Sequence, residues 1–233
     1  MKKALISMLI ILVLGCGAVF AASIESSSSY NSFVDYLGFN VGYGITNEKY
    51  DFVEGGPVRE DKGYQLSLSV NDFMFLDRDA ILGFYMEVGF SFNIDMESTI
   101  GNEPSFHPKD LSPFYADTML GLAIKFKTDN RTSVMIGVGP EIMYYSKEYN
   151  SEYWPYYTVD TENIALGFGA DIEGSYRLGQ DLYVGLGFKG SVLLYATTYT
   201  SVTVGPREHH TWDDLINYFG YRIQPRVSLY LQY

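Results

Sequence analysis

The chain has 233 residues and a formal net charge of −12; aromatic residues make up 16% of it and charged residues only 19%. So acidic a chain repels nucleic-acid phosphates, which excludes nucleic-acid partners. Its single cysteine, Cys16, excludes disulfide bonds within the chain and thiolate metal sites. Abundant Gly, Tyr and Phe in short periodic runs indicate an all-β fold rather than the Ala-, Leu-, Glu- and Lys-rich composition of helical proteins.

Residues 1–21 have the three parts of a secretory signal peptide. A basic start is followed by an apolar run, and Val19-Phe20-Ala21 fits a signal-peptidase site, so we predict cleavage after Ala21. Val13-Leu14-Gly15-Cys16 resembles a lipobox, which keeps lipoprotein processing at Cys16 as an alternative. Residues 22–36 are rich in serine and predict a flexible leader.

From residue 37 onwards, apolar and polar residues alternate with a period of two, which is the pattern of β-strands with one apolar face. We therefore predict that residues 37–233 form an eight-stranded antiparallel up-and-down transmembrane β-barrel. The eight alternating runs are 39–45, 64–70, 82–92, 114–126, 134–144, 164–175, 182–194 and 219–233.

The connections between these runs are alternately short and long. Turn-forming residues occupy the short ones, near Asp77-Arg78-Asp79, Asp129-Asn130-Arg131 and Gly179-Gln180-Asp181. The long ones are polar and cover 47–62, 96–112, 147–162 and 200–217. An up-and-down barrel then has all its short turns at one end and its long loops at the other, as outer-membrane barrels do.

The polar face of the predicted strands is rich in glycine and carries charges of both signs. Glycine weakens a water-exposed strand but suits the narrow interior of an eight-stranded barrel, so we predict that the apolar face points outward. Charges in such an interior must be paired. We predict an interior ion-pair network of nine residues: Glu87, Asp117, Lys125, Glu141, Asp171, Glu173, Lys189, Arg222 and Arg226. A hairpin centred on Gln180 would set Asp171 opposite Lys189.

The last strand carries apolar residues at alternate positions and ends in an aromatic residue, as Val227, Leu229, Leu231 and Tyr233. This resembles the C-terminal signal that outer-membrane barrels present to the barrel-assembly machinery. Together with the signal peptide, the strand count and the alternating connections, the chain resembles small outer-membrane barrels of the OmpA, OmpX and OmpW type over about 37–233. The resemblance implies a bacterial outer-membrane location, with membrane lipid and the assembly machinery as partners.

The sequence predicts no catalytic residues, no cofactor and no metal. His107, His209 and His210 all fall in predicted connections, so no strand offers the base of a Ser–His–acid design. His209 and His210 with Asp213 and Asp214 suggest a metal site, but a solvated loop explains them equally well. We expect a protein that is not an enzyme, although a palmitoyltransferase-like role stays open.

The connection at 146–160 is the most distinctive, because rigid aromatic side chains among acids can form a recognition surface. Its aromatic residues are Tyr149, Tyr153, Trp154, Tyr156 and Tyr157. Packing of these rings on one another is the alternative. The sequence thus predicts a structural or surface-interaction, adhesin-like role with a possible extracellular ligand. A narrow channel for small solutes and a soluble lipocalin-like periplasmic binder are the alternatives.

Overall fold

A computed structural model of the chain describes residues 34–51, 54–76, 79–101, 114–127, 129, 131–150, 157–204 and 207–233. The predicted signal peptide and residues 22–33 of the predicted leader lie outside these residues. Within them, no helix is long and apolar enough to cross a membrane. The strands are β1 (Val34–Asp51), β2 (Val58–Phe75), β3 (Leu82–Ile100), β4 (Phe114–Lys127), β5 (Thr132–Asn150), β6 (Tyr157–Arg177), β7 (Leu182–Val204), β8 (Arg207–Asp214) and β9 (Ile216–Gln232).

Eight of these strands close into a ring. Consecutive strands from β1 to β7 pair antiparallel, and β9 pairs with both β1 and β7, which completes the barrel. The short strand β8 lies outside the ring and pairs with the far part of β7. The predicted eight-stranded antiparallel barrel is therefore confirmed, and the β6–β7 register sets Asp171 opposite Lys189.

The short connections after β2, β4 and β6 lie at one end of the barrel, which we call the turn end. At the opposite end, the extended end, the structure differs from the predicted long loops. β1 continues to Asp51 and β5 to Asn150, and β8 occupies Arg207–Asp214, so much of 47–62, 147–162 and 200–217 is paired strand. The apolar alternation stops there because both faces of an extension that projects into water can be polar.

The outward faces of the eight barrel strands form an apolar belt. Leu186 is 71% exposed and Phe168 is 64% exposed. A continuous ring of such exposed apolar side chains would be unfavourable in a protein surrounded by water. Towards the extended end, the last large outward side chains of the belt are Ile45, Tyr64, Ile94, Phe114, Tyr144, Ile164, Tyr195 and Phe219. The apolar face therefore points outward, as predicted, which is the reverse of a lipocalin-like binder.

The interior is packed with side chains. Rings and methionines fill the half nearer the turn end, where Phe73, Tyr85 and Met119 are buried. A second aromatic layer, which includes Tyr115, lies nearer the extended end. The sequence predicts the glycines and charges of the lumen, and the structure adds these two aromatic layers.

Candidate functional site

Eight of the nine charged residues predicted for the lumen meet in one buried group, which we call the inner cluster. They project inward from six different strands of the ring, so the group fills the barrel from wall to wall. Its members are Glu87 on β3, Asp117 on β4, Glu141 on β5, Asp171 and Glu173 on β6, Lys189 on β7, and Arg222 and Arg226 on β9.

Lys189 and Arg222 share their carboxylate partners. The Lys189 Nζ lies 3.0 Å from Glu87 Oε1, 2.6 Å from Asp117 Oδ1 and 3.2 Å from Glu141 Oε1. Arg222 Nη1 donates to Asp117 Oδ2 at 2.6 Å, and Arg222 Nη2 donates to Glu141 Oε1. One ammonium and one guanidinium thus tie three strands on the far side of the lumen to β7 and β9.

Arg226 binds the remaining carboxylates. Its Nη1 donates to Glu87 Oε2 at 2.9 Å, its Nε donates to Glu173 Oε1, and its Nη2 donates to Asp171 Oδ2. The Tyr85 hydroxyl also donates to Asp171 Oδ2, at 2.7 Å. With five carboxylates and three cations, the inner cluster is a network rather than a set of separate pairs.

Lys125, the ninth predicted residue, lies apart from the inner cluster. Its Nζ lies 4.1 Å from the centroid of the Phe75 ring and 5.4 Å from that of Tyr36, in the aromatic layer near the turn end. A cation over ring faces is stabilised by the ring quadrupole. The alternation of the sequence puts Lys125 on the polar face of its strand, where the structure has it buried, and does not reveal its aromatic neighbours.

Interior glycines make room for these long side chains. At Gly38 on β1, a Cβ would collide with the side chains of Asn71 and Tyr230, and at Gly187 on β7 it would collide with the Glu173 carboxylate. The space inside an eight-stranded barrel is limited, so the inner cluster fits only because these positions of the barrel wall are glycine.

A second buried group, the outer cluster, lies beyond the apolar belt at the extended end. It consists of Glu48 on β1, Arg59 and Asp61 on β2, and Lys147 on β5. The Lys147 Nζ lies 2.7 Å from Glu48 Oε2 and 2.9 Å from Asp61 Oδ2. Arg59 Nε donates to Asp61 Oδ1 at 2.9 Å, and the Ser98 hydroxyl donates to the same oxygen at 2.6 Å.

The charges of the outer cluster shift one another's proton affinity. Burial raises the pKa of Asp61, but Lys147 and Arg59 outweigh burial and hold that pKa well below its usual range. Burial lowers the pKa of Lys147, but Asp61 and Glu48 outweigh it, so the pKa of Lys147 lies well above its usual range. Asp61 and Lys147 are therefore both charged at neutral pH.

The outer cluster was not predicted, because its residues fall in the predicted long connections. A usable signal is nonetheless present. Glu48 keeps the inward parity of Asn40 on β1, and Lys147 keeps that of Glu141 on β5. If the alternation of inward and outward residues is continued beyond the last apolar residue of β1 and of β5, both side chains are predicted to point into the lumen.

An aromatic group, the ring cluster, lies at the extended end, with the Tyr199 ring buried beneath the exposed side chains of His210 and Trp212. The Tyr199 ring stacks on that of His210, with centroids 5.5 Å apart, and packs against Trp212 at 5.1 Å. Trp212 lies directly opposite Tyr199 in the β7–β8 pairing, and 45% of its surface is exposed. The ring cluster is part of the projecting β6–β7–β8 sheet.

The residues predicted for surface recognition are only partly described. Tyr149 and Tyr157 lie on paired strand backbone at the tips of β5 and β6, whereas Tyr153, Trp154 and Tyr156 lie outside the described residues. His209 and His210 lie on β8 rather than in a loop, and His107 lies outside the described residues. In the described part of the chain, no group of three His, Cys, Asp or Glu side chains could hold a metal ion.

The four C-terminal residues with alternating apolar character lie on β9 or directly after it. Val227, Leu229, Leu231 and Tyr233 are all exposed on the outward face of the barrel. They therefore belong to the apolar belt.

No protein-family model matches the chain, and no curated protein matches it. Solved structures do. A major outer membrane protein from Thermus thermophilus matches with a TM-score of 0.50 and 13% identity, over 84% of this chain and 99% of that chain. Neisserial surface protein A matches with a TM-score of 0.47 and 11% identity, over 85% of this chain and 97% of that one. The outer membrane protease OmpT from Escherichia coli matches with a TM-score of 0.43 and 12% identity, over 88% of this chain and 98% of that one.

At these identities the likeness concerns the fold alone. The chain has the fold of outer-membrane β-barrel proteins, and its closed ring of outward apolar side chains fits the bacterial outer membrane, where it contacts lipid.

Proposed function

We propose that this protein is a plugged outer-membrane barrel whose strand extensions form an adhesin-like interaction surface outside the cell. The observation that carries the proposal is the ring cluster on a sheet that projects beyond the apolar belt. The turn end then faces the periplasm and the extended end faces the environment, as in other barrels with short periplasmic turns.

The strands are much longer than a membrane requires. A membrane-spanning strand needs about 9–11 residues, whereas β6 has 21 residues and β7 has 23. The surplus is well ordered by pairing, since β7 pairs with β6 and β8 to its tip. Such a rigid projecting sheet can present side chains to a ligand with little loss of conformational entropy.

The chemistry of the extended end favours neutral or cationic ligands. In the four segments 47–62, 96–112, 147–162 and 200–217, acidic residues number fifteen and basic residues six. This excess repels polyanions. The exposed ring of Trp212, which packs on the buried ring of Tyr199, gives an apolar surface on which a sugar ring or a cationic group can rest.

The filled lumen favours this role over the channel. The inner and outer clusters cross the interior at two levels, and the aromatic layers pack beside them. We expect no steady conductance when the purified protein is inserted into planar bilayers. Stable open currents would favour the conduit instead.

The C-terminal residues and the aromatic connection keep their proposed roles. Val227, Leu229, Leu231 and Tyr233 would act as the assembly signal before insertion and as part of the belt afterwards. Tyr149, Tyr153, Trp154, Tyr156 and Tyr157 would add to the interaction surface, because the β5–β6 tips neighbour the β7–β8 hairpin. Neither role needs a catalytic step.

Binding by whole cells tests the interaction surface. Cells that express the protein should bind immobilised neutral glycans or cationic peptides, and Trp212→Ala should reduce binding at least about fivefold, since an exposed aromatic anchor contributes about 1–2 kcal/mol or more. Trp212 is exposed, so folding should survive, which heat-modifiable migration on gels checks. The matched control is Leu186→Ala, an exposed apolar residue of the belt. Equal binding by Trp212→Ala and wild type would contradict the role of the ring cluster.

A further inference from the structure

A cleft of about 490 Å³ lies at the turn end, where β5 begins and β6 ends. It is lined by Arg131, Tyr176, Arg177, Leu178 and Gly179. The two arginines are neighbours, because the Arg177 amide donates to the Arg131 carbonyl at 2.8 Å. This arginine cleft shares no residue with the inner, outer or ring cluster, and the Arg177 guanidinium carbon lies 6.0 Å from the ring centroid of Tyr183 in the aromatic layer near the turn end.

Both guanidinium groups donate to uncharged acceptors. Arg177 Nε donates to the carbonyl of Gly179 at 2.8 Å, and Arg177 Nη2 to that of Gln180 at 2.5 Å. Arg131 Nη1 lies 3.4 Å from the Tyr176 hydroxyl. A carbonyl or a phenol orients a guanidinium without neutralising its charge, so the cleft presents two positive charges.

Asp129, two residues before Arg131, is already engaged with the backbone. Asp129 Oδ1 accepts the amide of Arg131 at 2.6 Å and that of Thr132 at 2.7 Å. These two amides hold the pKa of Asp129 below its usual value. Asp129 therefore serves to shape the turn, and within the described residues no salt bridge to Arg131 or Arg177 occurs.

The other wall of the cleft is apolar and continues the belt. Tyr176 is 42% exposed and Leu178 is 59% exposed, and Tyr176 follows Ile172 along the outward face of β6. The cleft thus joins two guanidinium groups to an apolar surface at the level where the belt meets water. An ion with an attached hydrocarbon chain would satisfy both walls at once.

We propose that the arginine cleft binds the phosphate group of an anionic phospholipid in the leaflet at the turn end. The phosphate oxygens would accept from Arg131 and Arg177, and an acyl chain would lie along Tyr176 and Leu178. Arginine forks match phosphate geometry, which makes a bound lipid more specific than the general contact of the belt with membrane. This site is independent of the interaction surface at the opposite end.

A titration followed by NMR tests the site in the full chain. Wild-type protein in non-ionic detergent micelles is titrated with dioctanoyl phosphatidylglycerol, and the amide signal of Gly179 is followed. We expect a saturable shift. Dioctanoylglycerol, which lacks the phosphate, should give no shift, and inorganic phosphate should need at least a tenfold higher concentration. Saturation by inorganic phosphate at the same concentration would overturn the assignment to lipid.

The arginines are tested by Arg131→Gln and by Arg131→Gln/Arg177→Gln. Each arginine supplies a charge-assisted hydrogen bond to the phosphate, so half-saturation should need at least about tenfold more lipid for each arginine replaced. Arg131→Gln leaves the hydrogen bonds of Arg177 to the turn in place, which keeps the test valid if the double variant folds poorly. Lys49→Gln, at the extended end, is the matched control and should bind as wild type does. Equal lipid binding by Arg131→Gln and Lys49→Gln would overturn the proposal.

Discussion

The inner and outer clusters are built from the same residue types but in different surroundings. The inner cluster lies within the belt and holds five carboxylates and three cations that span six strands. The outer cluster lies beyond the belt and holds two carboxylates and two cations from β1, β2 and β5. The inner cluster fills the lumen at the level where lipid surrounds the barrel. The outer cluster connects the strand extensions at the level where water surrounds them.

The surroundings of each cluster decide how much stability is lost when one residue of an ion pair is removed. A charge stranded inside the belt has no access to water, so breaking a buried pair costs far more than the pair contributes. A charge stranded near the extended end can be reached by water after a small opening of the extensions. We therefore expect the two clusters to respond unequally to matched substitutions.

The largest effect is expected at Arg226. Arg226→Met leaves Glu87, Asp171 and Glu173 without the guanidinium that each of them binds. Removal of one partner from a buried ionic group costs about 3–5 kcal/mol. The free energy of unfolding in urea, measured in detergent micelles, should fall by this amount. Adding Glu87→Gln and Glu173→Gln should recover part of the loss, and a triple variant less stable than Arg226→Met would contradict the network.

A smaller effect is expected at Lys147. Lys147→Met removes the ammonium that lies 2.7 Å from Glu48 and 2.9 Å from Asp61, but Arg59 still pairs with Asp61. We expect a loss of about 1–3 kcal/mol in the same urea measurement. The conservative variant Lys147→Arg keeps the charge and should lose less. A loss as large as that of Arg226→Met would remove the distinction between the two clusters.

The clusters also differ in how far the sequence reveals them. The period of two, carried by runs such as Ile164–Ile172, is enough to identify the part of each ring strand that lies within the belt, its outward face and the inward side of the inner-cluster charges. The period of two does not predict which of these charges form ion pairs with one another. Asp171 lies opposite Lys189 as predicted, yet Lys189 binds Glu87, Asp117 and Glu141, while Asp171 binds Arg226. Inward side chains of a closed barrel reach across the lumen, and no local pattern encodes that distance.

The extended end was the least predictable part. The sequence there lacks the apolar alternation because neither face of a projecting strand needs to meet lipid, so paired strands look like loops. The separation of β8 from the ring is also hidden. β8 is separated from β9 by an irregular stretch of backbone at 215–217. There Asn217 has a φ of 53°, and its side-chain amide donates to Asp51 Oδ2 at 2.8 Å. Asparagine tolerates this left-handed conformation better than most residues.

The dependence of stability on pH should separate the clusters further. The pKa of Asp61 is lowered in the folded state, so its contribution is present above about pH 4, the unfolded value, and is lost as the pH falls below it. The pKa of Lys147 is raised, so its contribution is lost only at strongly alkaline pH. The stability difference between wild type and Lys147→Met should therefore shrink from about pH 7 to about pH 3. A constant difference would show that Asp61 does not depend on Lys147.

The smallest effects are expected from a matched pair of hydroxyl deletions. The Ser228 hydroxyl donates to Glu173 Oε1 at 2.9 Å in the inner cluster, and the Ser98 hydroxyl donates to Asp61 Oδ1 at 2.6 Å in the outer one. Each substitution to Ala removes one hydrogen bond to a carboxylate and almost no volume, and Ser98→Ala also removes the acceptor of a 3.5 Å hydrogen bond from Arg59 Nη2. Ser228→Ala should cost about 1–1.5 kcal/mol and Ser98→Ala about 0.5–1 kcal/mol, because water can replace the lost donor only near the extended end. The urea midpoints of the two variants, measured side by side, decide whether water access distinguishes the clusters, and a larger cost for Ser98→Ala would reverse that conclusion.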